Sequence, residues 1–121
     1  MLSQIGQIAL NFADLERAVP FYRDILQIPF LFQFPGLAFF DCAGVRLMLT
    51  KPEGSDAPSG NSVLYFKVAD IQAEAQGLVS RGVKLEGDPH LIAKMPDHEL
   101  WMVFFRDPES NLLALMSEVR G

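Results

Sequence analysis

The chain has little cysteine, little positive charge and no long hydrophobic run, and each shortage excludes a class of protein. Cys42 is the single cysteine among 121 residues, which rules out an intrachain disulfide and fits a reducing cytoplasm. The 10 basic residues are scattered and outnumbered by 15 acidic ones, whereas a nucleic-acid surface needs clustered Lys and Arg. No apolar run approaches the roughly 20 residues of a membrane span, and the N-terminus lacks a signal-peptide pattern. We therefore expect a cytoplasmic protein with neither nucleic-acid nor membrane partners.

What the chain does contain is a repeat. Residues 8–15 read IALNFADL and residues 64–71 read LYFKVADI, so each apolar-rich run ends in an Ala-Asp pair before a helical pattern. Asp14 and Asp70 are predicted N-caps, because a carboxylate can accept hydrogen bonds from the free amides of a first helical turn. Two copies of one β-then-α unit predict a pseudo-symmetric fold with its chemistry between the copies.

The patterning predicts the order β-α-β-β-β twice, an α+β fold. Two cupped mixed sheets with one helix each should enclose a shared cleft, in which a small molecule would bind. We expect a single domain, with a first unit at 1–52, a connector at 53–61 and a second unit at 62–121. Pro20 falls inside the first helix, where it should bend the helix or shift its register.

Three stretches resemble the vicinal oxygen chelate superfamily, which includes glyoxalase I, extradiol dioxygenases and bleomycin-binding proteins. They are DLERAVPFYRDIL at 14–26, VADI at 68–71 and FFRDPESNLLAL at 104–115. Ser110 stands where the family's turn usually has glycine. The resemblance implies the paired βαβββ fold and, for a chain of this length, a homodimer.

In catalytic members of that superfamily, four positions hold a divalent metal. By position the resemblance places them at Gln7, Met48, Val63 and Ala114. Gln7 alone offers an oxygen, a thioether suits Mg, Mn or Fe poorly, and valine and alanine coordinate nothing. We therefore predict no metal cofactor, and a protein that holds an apolar or aromatic small molecule between its repeats. These four residues, with Phe39 and Trp101, are the predicted ligand-binding set.

The alternative is an enzyme, a glyoxalase-like lyase or a dioxygenase. His90, His98 and Glu99 would be its acid-base groups, or would hold a divalent metal in an atypical site. Asp97 and Glu99 flank His98 and can orient its ring. The same residues also fit a polar turn between strands, and Trp101 also fits a core position. A third interpretation is an interaction protein whose cleft is vestigial.

Overall fold

The computed structural model describes residues 1–52 and 60–120, and the chain divides into two compact units, Met1–Ser62 and Val63–Gly121. Most of the predicted connector, 53–61, lies outside the described residues. Among the described residues, neither helix is long and apolar enough to cross a membrane.

The first unit is a four-stranded mixed sheet with one helix. Its elements are β1 (Gln7–Asn11), α1 (Leu15–Pro20), β2 (Phe30–Phe34), β3 (Leu37–Cys42) and β4 (Val45–Thr50). The strand order is β1-β4-β3-β2, with β1 parallel to β4 and the other pairs antiparallel.

The second unit has the same topology. Its elements are β5 (Leu64–Lys67), α2 (Ile71–Ser80), β6 (His90–Lys94), β7 (Glu99–Arg106) and β8 (Leu112–Val119). The order is β5-β8-β7-β6, with β5 parallel to β8. The predicted α+β fold of two βαβββ repeats is therefore confirmed. Between α2 and β6, Leu85 forms an isolated antiparallel bridge with Phe105.

Both helices begin after the aspartate that the repeat predicts as a cap. Asp14 accepts a hydrogen bond from the Glu16 amide at 3.1 Å, and Asp70 accepts one from the Ala73 amide at 3.1 Å. Each carboxylate satisfies one amide that the first helical turn leaves without a partner.

Pro20 ends the α-helical part of the first helix. The chain continues as a π-helical turn, Phe21–Ile25, in which the Leu26 amide donates to the Phe21 carbonyl at 2.9 Å. Proline has no amide hydrogen and its ring crowds the preceding turn, so the widened turn is the shift in register that the sequence predicts. The turn places Tyr22 in the core, where it is fully buried.

The first sheet presents one face to its helix and has a second, open face. α1 packs against β3 and β4, and the buried strand residues alternate along the chain. The helix-covered face of the first sheet carries Leu10, Ala38, Phe40, Leu47 and Leu49. The opposite side, here called the open face, is defined by Gln7, Phe32, Leu37, Phe39, Arg46 and Met48.

The turn between β7 and β8 is built on one buried carboxylate. Asp107 accepts hydrogen bonds from the Glu109 amide at 2.9 Å, from the Asn111 amide at 3.0 Å and from the Asn111 side chain at 2.9 Å. This tight turn requires a left-handed backbone at Ser110, whose φ is +65°. Glycine adopts that conformation without the steric cost of a Cβ atom.

We predict that Ser110→Gly raises the free energy of unfolding by about 0.5–1 kcal/mol, since the relieved strain exceeds the extra chain entropy of glycine. Chemical denaturation of the purified variant and of the unaltered protein measures this difference in the free energy of unfolding. The matched control is Gly82→Ala, at a φ of +94° after α2, which should lower stability. A destabilised Ser110→Gly variant would contradict the prediction.

Candidate functional site

Two of the four positions matched to metal ligands touch each other on the open face. The Gln7 side-chain amide donates a hydrogen bond to the Met48 sulfur at 3.8 Å. The parallel pairing of β1 with β4 brings them together, since Ala9, two residues from Gln7, is the register partner of Met48.

The matched positions of the second unit carry only hydrocarbon. Val63 directly precedes β5, and Ala114 lies on β8 with no exposed surface. The register partners of Ala114 are Tyr65 and Phe104, whose rings meet edge to face at 6.0 Å. Ala114 thus lies in a row with two aromatic rings and offers no ligand atom.

The open face also carries an arginine stacked on an aromatic ring. The Arg46 guanidinium lies 5.9 Å from the centre of the Phe39 ring, and Phe39 lies 4.8 Å from the ring of Phe32. Gln7 is the register partner of Arg46 on the neighbouring strand. A hollow of about 590 Å³ opens at this end of the sheet, lined by Gly6, Gln7, Leu31, Asp41, Gly44 and Arg46.

A β-bulge decides which phenylalanines reach the open face. Phe30 pairs with Phe40 and Phe32 pairs with Phe39, so Leu31 is an extra residue in β2. Phe30 and Phe32 are two positions apart, and in a regular strand their side chains would lie on the same face. The bulge at Leu31 places them on opposite faces. Phe30 therefore contacts the buried ring of Phe40, and Phe32 contacts Phe39 on the open face.

The sequence profile of the Glyoxalase/Bleomycin resistance protein/Dioxygenase superfamily matches residues 4–115. The chain belongs to this superfamily.

The chain is also similar to a relative of known sequence and to solved structures. An uncharacterized protein of Bacillus subtilis strain 168, YraH, is 30% identical over 90% of this chain and 94% of its own length. The crystal structure of lactoylglutathione lyase from Agrobacterium tumefaciens matches with a TM-score of 0.78 and 23% identity, over 95% of this chain and 93% of that one. A superfamily protein from Nocardioides matches with a TM-score of 0.76 and 24% identity, over 100% of this chain and 87% of that one. At such identities the structures show a shared fold.

The divalent metal that the superfamily implies does not fit the residues at its usual positions. Gln7 supplies one neutral oxygen, and its amide group is already in contact with a thioether. A hard divalent ion needs several oxygen or nitrogen ligands, often charged, to compete with water. Across 1–52 and 60–120, no three side chains of His, Cys, Asp or Glu come together as a metal-binding group.

The structure does not bring His90 and Glu99 together. His90 pairs with Met102, three residues along β7 from Glu99, and an odd separation on a strand places side chains on opposite faces. The ring of His90 lies 3.0 Å from the Asp88 carbonyl. The predicted catalytic roles of His90 and Glu99 stay predictions, with no shared geometry behind them.

Trp101 lies on the helix-covered side of the second sheet. Its register partner is Ser117, whose hydroxyl bonds to the Ala69 carbonyl at the start of α2. The indole donates to the Glu99 carboxylate at 3.2 Å. Ala114 lies three residues before Ser117 in β8, and this odd separation turns it to the other face. Trp101 and Ala114 therefore do not share a surface of this unit, and ligand stacking on Trp101 stays a prediction.

His98 contacts Asp97, which in turn is held by Arg120, and the local sequence reveals only the first of these two contacts. Its Nδ1 atom lies 2.8 Å from Asp97 Oδ1, and Arg120 donates to Asp97 Oδ2 at 2.7 Å. The side chain of His98 is 16% exposed, that of Asp97 is 68% exposed. The hydrogen bond from Arg120, followed by that with His98, lowers the pKa of Asp97 to about 2. The flanking aspartate was visible in the sequence, but Arg120, which lies beyond the far end of β8, was not.

We predict that Arg120→Gln raises the pKa of Asp97 from about 2 toward its ordinary value of 3.8. A carboxyl whose folded-state pKa is depressed favours folding above its ordinary pKa, and this contribution is lost as the pH falls through the folded-state value. A ¹³C NMR titration of the side-chain carboxyls between about pH 1.5 and pH 6 spans that window. The control is Lys67→Gln, which removes an ion pair to Glu118 alone. An unchanged Asp97 titration in Arg120→Gln would show that the contact does not set the pKa.

Proposed function

We propose that this member of the superfamily binds an apolar or aromatic small molecule without a metal, and that the open face of the first sheet is its binding surface. The observation that carries the proposal is the contact between Gln7 and Met48. Where catalytic members of the superfamily are expected to hold a metal, this chain has an amide against a thioether, beside the aromatic rings of Phe39 and Phe32.

The chemistry of these side chains favours a flat, apolar ligand. Thioethers are polarisable and make favourable contacts with aromatic rings, and stacked or edge-on rings add to the area that a ligand buries. Phe32 is 42% exposed, so part of its ring surface faces solvent. Covering about 200 Å² of apolar surface contributes about 5 kcal/mol, which by itself corresponds to a dissociation constant of about 0.2 mM. The cost of association weakens this to the millimolar range or beyond.

One observation supports the enzyme alternative. His98 is mostly shielded from solvent and its ring is positioned by a carboxylate, which is how acid-base histidines are commonly oriented. The same contacts stabilise the turn between β6 and β7, where the Met95 amide donates to the His98 carbonyl at 2.7 Å. We therefore rank this function second.

The cleft between the repeats, the homodimer and the cytoplasmic location stay predictions.

We predict that naphthamide, a neutral aromatic probe, shifts the methyl resonance of Met48 in protein labelled at its methionine ¹³C-methyl groups. An aromatic ring stacked on the thioether produces this shift through its ring current. The titration is run in EDTA, because the proposal requires no metal, and Met48→Leu assigns the signal.

Phe30 and Phe32 provide a matched pair of variants for this titration. Both are exposed phenylalanines of β2, but only Phe32 lies on the open face. Phe32→Ala should weaken binding about 5- to 10-fold, the equivalent of about 1 kcal/mol or slightly more for a lost ring contact, and Phe30→Ala should leave it unchanged. Equal effects of the two variants, or binding that EDTA abolishes and Mn²⁺ restores, would contradict the proposal.

A further inference from the structure

We propose that the ligand is a monocarboxylate with an aromatic or apolar body, and that Arg46 and Gln7 bind its carboxylate. This inference rests on the proposed function, since it names the chemistry of the molecule bound at the same face. It adds two groups that can bind an anion, Arg46 and Gln7, to a surface that is otherwise mostly apolar.

Arg46 differs from three other arginines of the chain in its partners. Arg23, Arg106 and Arg120 each hold a carboxylate, at 2.9, 2.7 and 2.7 Å. Arg46 forms no ion pair with any residue that the structure describes, and the contact recorded for its guanidinium is with the ring of Phe39. Its five hydrogen-bond donors form a planar fork that suits a carboxylate.

The nearest carboxylate to Arg46 in register is engaged in a turn. Asp41 is the partner of Arg46 across β3 and β4, but its Oδ1 atom accepts a hydrogen bond from the Gly44 amide at 3.0 Å. This bond holds Asp41 in the tight connection between the two strands. Asp41 also lines the hollow, where its carboxylate would oppose any negative charge on a ligand beyond the one that Arg46 offsets. The site therefore favours a monoanion over a dicarboxylate or a phosphate.

Gln7 supplies a second donor beside Arg46. The two are register partners on adjacent parallel strands, which lie about 4.8 Å apart. The side-chain amide of Gln7 donates to the sulfur of Met48 at 3.8 Å, and a thioether is a weak acceptor. A carboxylate oxygen is a much stronger acceptor, so a ligand can replace this bond with a better one.

The positions of these groups also fix the rest of the ligand. Arg46 is stacked on Phe39, and the sulfur of Met48 lies against Gln7. A carboxylate held by Arg46 and Gln7 therefore places the atoms attached to it over Met48 and Phe39. Those atoms contact a thioether and a ring, which favours an aromatic or apolar group.

The test compares naphthoate with naphthamide, which differ in charge but have the same ring system. Dissociation constants come from titrations followed at the Met48 methyl group. We expect naphthoate to bind about 5- to 10-fold more tightly at low salt, the range of a partly exposed charge-assisted pair. Raising the ionic strength from about 0.05 to about 0.5 M should weaken naphthoate binding alone, since salt screens the charge.

Variants of Arg46 identify the group responsible. Arg46→Gln should abolish the preference for naphthoate while naphthamide still binds, which also shows that the variant is folded. Arg46→Lys should keep part of the preference, because it retains the charge without the planar fork. Lys84→Gln, which removes one exposed positive charge from the second unit, should leave the preference unchanged.

The outcomes separate this inference from the proposed function. If both probes shift Met48 with equal affinity, the carboxylate proposal is overturned and apolar binding stands. If neither probe shifts Met48, both are overturned. If Lys84→Gln lowers the preference as much as Arg46→Gln does, net charge rather than Arg46 is responsible, and the assignment of Arg46 is wrong.

Discussion

The parallel pairing of the first strand of each unit with its last strand is the constraint on which the rest of the structure depends. In the first unit it places Arg46 opposite Gln7 and Met48 opposite Ala9. In the second unit it places Ala114 opposite Tyr65 in the same arrangement. A slip of one residue would turn every side chain of a strand to the other face, exposing the buried leucines of β4. The burial of one face therefore fixes which residues the open face presents.

Within this constraint, a few side chains change what the fold can do. A scaffold that holds a metal needs oxygen or nitrogen atoms from the paired strands, and here those strands present an amide, a thioether and hydrocarbon groups instead. In the function we propose, these side chains offer contact surface to a ligand ring at positions where hard metal ligands are absent. Arg46, stacked on Phe39, retains a positive charge at the edge of this surface.

Much of the fold was predictable because the signals are local and repeated. The aspartate caps, the shift in helix register at Pro20 and the succession of helices and strands along the chain each depend on neighbouring residues. The resemblance supplied Gln7 and Met48 as matched positions, whereas their contact is seen in the structure alone.

Other parts of the site depend on geometry that no local pattern encodes. The bulge at Leu31 separates Phe30 from Phe32, although their spacing suggests a shared face. The ion pair of Arg120 with Asp97 joins residues far apart in sequence.

The most direct test of the central claim, that residues of this chain replace the metal-binding chemistry of its superfamily, is elemental analysis of the purified protein. The protein is soaked separately in Zn²⁺, Mn²⁺, Ni²⁺ and Fe²⁺, desalted and measured for metal per chain. The account predicts far less than one equivalent of each ion, because Gln7 offers the one oxygen ligand among the matched positions. One tightly held equivalent of any of them would contradict the account and make the enzyme alternative the leading one.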